Sequence, residues 1–371
     1  MNKRLDYIDM AKGIGMLLVL LGHLQGDQIF TLSPYIHPFC VFIFSFHMPM
    51  FFIISGILIA IKSEETKDFA TTAKKRFRGI MIPYYWFSFF YLLVVIKALI
   101  GGAIAPETLY VNLWYVIGGY GMNVLWFLPA IFLGELLFVF LKQKINDDKL
   151  FIAVVTISSA VVFVLAYLLA NAGIETDAYK RFREFATVLL RPILACGFIS
   201  IGYYSHKLCV KDNVIGNFIN KPKLNNNGKI TMTYRVAYIA LGVILMGICA
   251  VLKGINNGID FRSMVFRNIF FFLICALCGS YGLIILCKGL PRIGLFTYWG
   301  MGSLIFMSVH NSETVLYYAM KTAMYVNQYL TRARGYICYA IIAGIILVYT
   351  TIMIFIIQRF FPILLGKSNR K

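Results

Sequence analysis

Histidines inside long apolar stretches are the residues of this sequence whose side chains are best suited to chemistry. His23, His47 and His310 each lie in such a stretch. Imidazole titrates near neutral pH, so it can take a proton from a hydroxyl group or accept an acyl group itself. An ionisable side chain inside a bilayer costs several kcal/mol, and each of the three is therefore a candidate functional residue.

Lys12 and His23 lie eleven residues apart in the first apolar stretch. On a helix this spacing is about three turns, so both side chains project from one face, about 16 Å apart along the axis. A cation at the membrane surface with an imidazole deeper inside suits an anionic cofactor that has a long reactive arm. An ion pair between Lys12 and Asp9 is the alternative interpretation of the lysine.

His47 and His310 lie at similar predicted depth to each other, and Pro49 follows the first of them closely. Three imidazoles at one level would leave ring nitrogens unpaired if they faced lipid, so the pattern predicts one shared polar cavity. Hydrogen bonding between helices is the alternative for a histidine in a membrane. Other ionisable residues, including Arg191, lie near the ends of predicted spans, where long side chains can reach the interface.

A basic cluster, Lys74-Lys75-Arg76-Phe77-Arg78, precedes a proline-containing apolar stretch. The cluster is typical of cytoplasmic anchoring beside a membrane. Arginine also binds phosphate oxygens through two hydrogen bonds, so a phosphate-binding site is the second interpretation.

The composition indicates a protein that spans a membrane many times. The chain has 371 residues, of which 60% are hydrophobic and only 14% charged, and its mean hydropathy is +0.77. A spanning helix needs about 20 apolar residues. We therefore expect an all-α, polytopic transmembrane bundle of about ten helices, with residues 1–371 forming a single domain. The predicted spans are 8–27, 38–61, 81–101, 122–141, 150–170, 186–206, 235–252, 264–287, 293–325 and 336–357, and the ninth is long enough to be broken.

The distribution of charge predicts the orientation. The net charge is +19, and lysine and arginine concentrate in the loops 62–80 and 207–235. The positive-inside rule places these loops, and both termini, in the cytoplasm. The charge is therefore explained without a nucleic-acid partner, and the bilayer is the expected partner. The polar, glycine-rich segment 103–121 is predicted to lie at the outer interface.

The cysteines do not indicate a metal or redox site. Cys275 and Cys278 have suitable spacing, but they lie in an apolar stretch without a second pair, so buried structural thiols are expected. No metal is expected, and no cleavable signal peptide is evident in the first apolar stretch.

Several motifs together resemble acyltransferase family three, a family of membrane O-acyltransferases, and in particular its fucose-acetylase-like branch. The motifs are DYIDMAKGIGMLLVLLGH, SFHMPMFFIISGIL, KRFRGIMIPYYWF, LWFLPAIFLGELLF and SLIFMSVH, and they occur in this order. Lys12 stands where most of the wider family has arginine. Lysine at this position is common in the fucose-acetylase-like branch.

The resemblance implies an acyltransferase of the bacterial cytoplasmic membrane. It would move an acyl group, usually acetyl from acetyl-CoA, to a hydroxyl of a cell-surface glycan or lipid-linked sugar precursor. The resemblance implies that His23 is the catalytic histidine. Glu135 and His310 are further catalytic candidates from their chemistry: Glu135 could orient His23 or move its proton, with a structural carboxylate as the alternative, and His310 would be a second polar residue of the cavity. It also assigns Lys12, Arg76 and Arg78 to donor binding. His47 and Trp126 are then expected in the substrate cavity.

Two other functions fit a bundle of this kind. A transporter or flippase for a glycan-linked substrate also has ionisable groups at mid-membrane, although inverted repeats, its usual signature, are not evident. A membrane sensor would not need Lys12, His23 and the basic cluster together. The residues leave the acceptor, the acyl group, the choice between a covalent acyl-histidine and a general base, and oligomerisation open.

Overall fold

The fold is a bundle of α-helices, as the sequence predicts. The structure, a computed structural model, describes residues 5–24, 36–211, 214–220, 230–256, 259–328 and 334–367. The described residues contain no β-strand. The helices are α1 (Asp6–His23), α2 (Ile36–Phe44), α3 (His47–Lys62), α4 (Phe69–Arg76), α5 (Ile82–Ile100), α6 (Pro106–Ile117), α7 (Phe127–Lys144), α8 (Asp148–Ala170), α9 (Asp177–Val210), α10 (Val214–Asn220), α11 (Met232–Leu252), α12 (Ile269–Gly289), α13 (Gly294–Met301), α14 (Ser303–Val309), α15 (Glu313–Asn327) and α16 (Arg334–Phe360).

Eight helical segments of the described chain are long and apolar enough to cross a membrane. They correspond to the predicted spans other than the first and the ninth. The first, α1, carries Asp6, Asp9 and Lys12 within its 18 residues, so its composition is more polar. The polytopic, all-α character predicted from the sequence is confirmed.

The ninth predicted span is divided into three helices, α13, α14 and α15. The first break is at Gly302, where a Cβ atom would lie 2.6 Å from the side chain of Ile354. The second break follows His310, which caps the C-terminal end of α14. A broken helix exposes backbone polar groups inside a bundle, which is tolerated where protein or a cavity surrounds them.

The chain divides into two compact units. The first comprises residues 1–50, 222–259 and 267–360, and the second comprises residues 51–221, 260–266 and 361–371. The boundary between them falls within α3.

Glycines bring α1 and α13 into backbone contact in the first unit. A Cβ atom on Gly300 would lie 1.7 Å from the carbonyl oxygen of Asp9, and one on Gly13 would lie 1.9 Å from that of Phe296. Such small residues let two helices approach closely in a membrane. This contact fixes the helix that carries Lys12 and His23.

Glycines play the same part between α3 and α9 in the second unit. A Cβ atom on Gly56 would lie 1.9 Å from the carbonyl oxygen of Ile199, and one on Gly202 would lie 2.0 Å from that of Ile53. The contact holds the part of α3 that carries Ser55 against the middle of a long helix.

The basic loop, residues 62–80 of the second unit, is mostly helical. α4 ends at Arg76, and residues Phe77–Met81 form a π-helical turn that leads into α5. Pro83 has no N–H group, and its ring clashes with a regular helix over the preceding turn, which favours such a bulge.

The segment 103–121 contains α6, a helix of 12 residues that is too short to span a bilayer. Tyr110, Trp114 and Ile117 are exposed on it. Exposed aromatic residues of this kind are typical of the interface between lipid and water.

Candidate active site

Two of the predicted catalytic histidines lie together in the first unit. The imidazole rings of His23, at the end of α1, and His310, at the end of α14, have centroids 5.4 Å apart. The ring of Phe44 lies 6.4 Å from that of His23 and 5.4 Å from that of His47. The structure therefore brings the three histidines, which are far apart in the sequence, to one place.

Backbone carbonyl groups fix the tautomers of His47 and His310. His47 Nδ1 lies 3.0 Å from the carbonyl oxygen of Ile43, and His310 Nδ1 lies 2.8 Å from that of Met307. A carbonyl oxygen only accepts hydrogen bonds, so Nδ1 carries the proton of each neutral ring and Nε2 presents a lone pair. His310 is 2% exposed, and its Nε2 atom is buried without a hydrogen-bond partner in the described chain.

Lys12 forms an ion pair with Asp9 on the same helix. Its Nζ atom lies 2.7 Å from Asp9 Oδ1, and the lysine side chain is 19% exposed against 7% for the aspartate. The pairing that the sequence allowed is therefore present. Because the lysine is the more exposed partner, its ammonium group remains within reach of a ligand.

Arg76 lies between two buried carboxylates of the second unit. It forms a short ion pair with Glu64, and its Nε atom lies 3.0 Å from Glu135 Oε2. Glu135 Oε2 accepts no hydrogen bond in the described chain, so its contact with Arg76 is electrostatic. Ser55 donates a short hydrogen bond to the other oxygen of Glu135. The predicted catalytic carboxylate and a predicted donor-binding arginine thus belong to one network.

Glu64 joins the remaining cations of the loop to this network. Lys75 Nζ lies 2.7 Å from Glu64 Oε1. Burial alone would raise the pKa of Glu64, but Arg76 and Lys75 together hold it below its usual value. Arg78 is exposed and has no ion pair among the residues that the structure describes.

Arg191 and Trp126 belong to a different cluster of the second unit. Trp126 is 6% exposed and packs under the Arg191 guanidinium group, whose carbon lies 5.2 Å from the ring centre. Arg191 is 1% exposed and donates to the carbonyl oxygens of Arg262 and Tyr120, at 2.8 and 3.0 Å. The interpretation of Arg191 as a side chain that reaches the interface is wrong, because aromatic rings and carbonyl oxygens enclose it.

The sequence did not reveal Glu64 and Ser55 as partners of the predicted site residues. Ser55 lies within the SFHMPMFFIISGIL motif, which is the signal that could have identified it. Glu64 stands in a loop beside a second glutamate, Glu65, and the two differ in burial and in their partners, which only the structure shows.

A comparison with known protein families identifies the family of this chain. A family described as an acyltransferase domain, acyltransferase family three, matches residues 5–209. The chain belongs to acyltransferase family three. The match includes Lys12, His23, Arg76 and Glu135, whereas His310 lies beyond it.

One curated relative is similar to part of the chain. It is the nodulation protein NolL of Mesorhizobium japonicum, which is 31% identical over 173 residues. The similar region is 43% of this chain and spans 41% of the relative's length. No solved structure matches the chain.

Proposed function

We propose that the protein transfers an acyl group, acetyl in the simplest case, from acyl-CoA to a hydroxyl group of a cell-surface glycan or its lipid-linked precursor. It would do so in the bacterial cytoplasmic membrane. Membership of acyltransferase family three supports the class of reaction. The glycan acceptor rests on the resemblance of the α1 and α3 motifs to the fucose-acetylase-like branch.

The pairing of His23 with His310 is the observation that supports this function best. A sugar hydroxyl is a poor nucleophile at neutral pH and needs a base to take its proton. The Nε2 lone pair of His310 is buried and without a hydrogen-bond partner in the described chain, next to the ring of His23. A buried acceptor without a partner costs about 1–3 kcal/mol, which a substrate hydroxyl or a shared proton would recover.

His23 acts by one of two routes in this proposal. As a general base it takes the proton of the acceptor hydroxyl while the hydroxyl oxygen attacks the thioester carbonyl, and CoA leaves as a thiolate that is then protonated. As a nucleophile it first receives the acyl group, releases CoA and passes the group to the hydroxyl. In the nucleophilic route His310 is suited to take the proton that the acceptor loses, and in the general-base route it can share the proton that His23 has taken.

The donor is proposed to approach from the cytoplasm. CoA carries phosphates at one end and the thioester at the end of a long arm. Lys12 stands about 16 Å before His23 along α1, because a helix rises 1.5 Å per residue. Arg78 is the exposed arginine of the basic loop. A role of Arg76 in donor binding, and of Glu135 in the histidine chemistry, stays a prediction, because both side chains are engaged with each other.

The test is replacement of His23 by alanine in the full-length protein, purified in detergent and supplied with labelled acetyl-CoA and a sugar acceptor. We expect transfer to fall at least about a hundredfold, the usual contribution of a general base. His206→Ala is the matched control, because it removes a partly exposed histidine near the end of α9.

Acyl transfer by the His23→Ala variant at the rate of the wild type would remove His23 from the mechanism. Labelled protein that survives denaturation in the wild type, and is lost in the variant, would select the covalent route. Thermal unfolding of both variants checks that a loss of transfer is not a loss of fold.

A further inference from the structure

Three arginines that form no described ion pair with a carboxylate lie together in the second unit. Arg183 and Arg191 on α9 donate to the carbonyl oxygens of Ser263 and Arg262 in the turn 260–265. Arg262 itself lies over the same aromatic ring as Arg191: the guanidinium carbons are 5.4 and 4.6 Å from the centre of Tyr120. No described carboxylate forms an ion pair with any of the three.

The nearby acidic side chains make their described hydrogen bonds elsewhere, although the carboxylate of Asp260 is close enough to favour the charge of Arg191 electrostatically. Asp260 Oδ1 accepts the backbone N–H groups of Arg262 and Ser263, at 2.8 and 3.2 Å, and so stabilises the turn. Glu184 accepts the hydroxyl hydrogen of Tyr115 at 2.9 Å. Two guanidinium groups on one ring repel each other, and partial burial strengthens the repulsion. An anion bound between them would relieve it.

Arg262 is the member of the group that is available to such an anion. Its side chain is partly exposed, whereas Arg191 is 1% exposed. Its Nε atom is buried and has no hydrogen-bond partner in the described chain, and its one described side-chain hydrogen bond, to the carbonyl oxygen of Gly121, is long at 3.5 Å. The planar guanidinium group binds carboxylate and phosphate through two parallel hydrogen bonds, so this side chain has donors left for an anion.

The predicted orientation places this group on the outer side of the membrane. α9 begins there, and the turn 260–265 lies between two predicted spans on the same side. The positive-inside rule disfavours arginine on that side. A cluster there therefore has a use other than anchoring, and the acceptor glycan is the substrate expected at that side.

We infer that Arg262 and Arg191, with Tyr120, form a binding site for an acidic group of the acceptor, a phosphate or a carboxylate on a sugar. The inference rests on the proposed acyl transfer to a glycan and narrows it to acidic or phosphorylated acceptors. Arg191 supplies fixed positive charge, and Arg262 supplies the hydrogen bonds.

The test compares charged and neutral sugars on the full-length protein in nanodiscs of zwitterionic lipid. The probes are a panel of hexose 1-phosphates, the matching hexuronic acids and the matching methyl hexosides. Thermal unfolding reports binding, and acyl transfer at saturating acetyl-CoA reports KM. We expect at least one charged sugar to raise Tm when its methyl hexoside does not, and to have a KM lower by about tenfold, since charge-assisted hydrogen bonds have about this strength.

Arg262→Gln should raise the KM for the charged sugar to that of its methyl hexoside and so remove the preference, while Arg262→Lys should keep part of the preference. Arg181→Gln is the matched control, because it removes an exposed arginine of α9 that makes no described contact with the group. Arg262 is replaced in preference to Arg191, because Arg191 is buried and its replacement would leave two carbonyl oxygens without their donor and destabilise the fold.

Equal Tm shifts and equal KM values for charged and neutral sugars in the wild type would overturn the site and leave the proposed acyl transfer intact. The same Tm measurements are repeated in nanodiscs that contain phosphatidylglycerol. If Arg262→Gln changes Tm according to the phosphatidylglycerol content and not according to the sugar, the arginines bind lipid, and the proposed sugar site is overturned. Charged sugars that stabilise the protein through Arg262, without transfer to any acceptor, would support the site and contradict the proposed enzyme activity.

Discussion

At the scale of single residues, the orientation of ring nitrogens and the pairing of carboxylates decide what the candidate site can do. A carbonyl oxygen holds Nδ1 of His310, so the basic nitrogen points away from its own helix. Glu64 and Glu135 hold Arg76 from two sides. Removing one partner of a buried ion pair is costly because the other charge stays behind unpaired.

Glu64→Gln should therefore destabilise the protein by about 1–3 kcal/mol near neutral pH, the usual range for losing hydrogen bonds between charged groups, because Arg76 then keeps Glu135 alone as its described carboxylate partner. The pKa of Glu64 is lower in the folded protein, so its carboxylate stabilises the fold above the pKa of the unfolded chain, about 4.3. This contribution is lost as the pH falls towards the folded pKa.

Thermal unfolding of the purified protein between pH 7 and pH 3.5 measures this effect. The Tm difference between wild type and Glu64→Gln should shrink below about pH 4.3, where Glu64 of the unfolded wild-type chain begins to bind a proton that the folded chain does not yet bind. Glu175→Gln, which removes an exposed carboxylate, is the control and should show no such dependence. A difference that is constant over the whole range would contradict the assigned role of Glu64.

At the scale of elements, glycines set how closely the helices that carry site residues approach. The contact of α1 with α13 depends on Gly13 and Gly300, each of which faces a backbone carbonyl group. Lys12 and the Asp9 side chain with which it pairs lie on the same turns of α1. The position of Lys12, the predicted donor-binding lysine, therefore depends on a close contact between backbone groups of α1 and α13.

Gly300→Ala should lower both Tm and acyl transfer, because the added methyl group would lie 1.7 Å from the Asp9 carbonyl oxygen and must push α13 away from α1. Overpacking of this kind costs about 1–3 kcal/mol. Gly247→Ala on α11 is the matched control, since a Cβ atom there meets nothing within 4 Å.

Thermal unfolding and transfer assays on the two variants provide the comparison. The control should be neutral or more stable by up to about 1 kcal/mol, because alanine favours a helix over glycine. Equal stability of the two variants would show that α1 and α13 do not need the close contact.

At the scale of the whole molecule, the orientation in the membrane governs which substrate can reach which end. The basic loop holds a buried ion network as well as exposed cations, so its charge is not explained by anchoring alone. The orientation rests on the distribution of lysine and arginine in the sequence.

Cysteine replacements on opposite sides test the orientation. Ser63→Cys, in the basic loop, should resist an impermeant thiol reagent in intact cells, whereas Glu175→Cys, in the loop before α9, should react with it. Both positions are exposed, so access differs only by side. Reaction at residue 63 together with protection at residue 175 would invert the topology and with it the proposed entry of the donor.

The sequence by itself determined the class of the fold and most of the spans. Runs of about 20 apolar residues can satisfy their backbone groups only as helices in lipid, so composition and length suffice for that prediction. The sequence also identified the family, through the motifs around His23 and His47. It anticipated the break in the ninth span only as a consequence of its length.

Only the tertiary structure decided which polar residues meet. His23 and His310 are separated by most of the chain, and their contact depends on helix packing that no local pattern encodes. The same holds for Arg191, whose partners come from the turn 260–265 and from the segment before α7. Hydropathy reports whether a residue tolerates lipid, but the partner that makes a buried charge tolerable is set by the three-dimensional packing of distant segments.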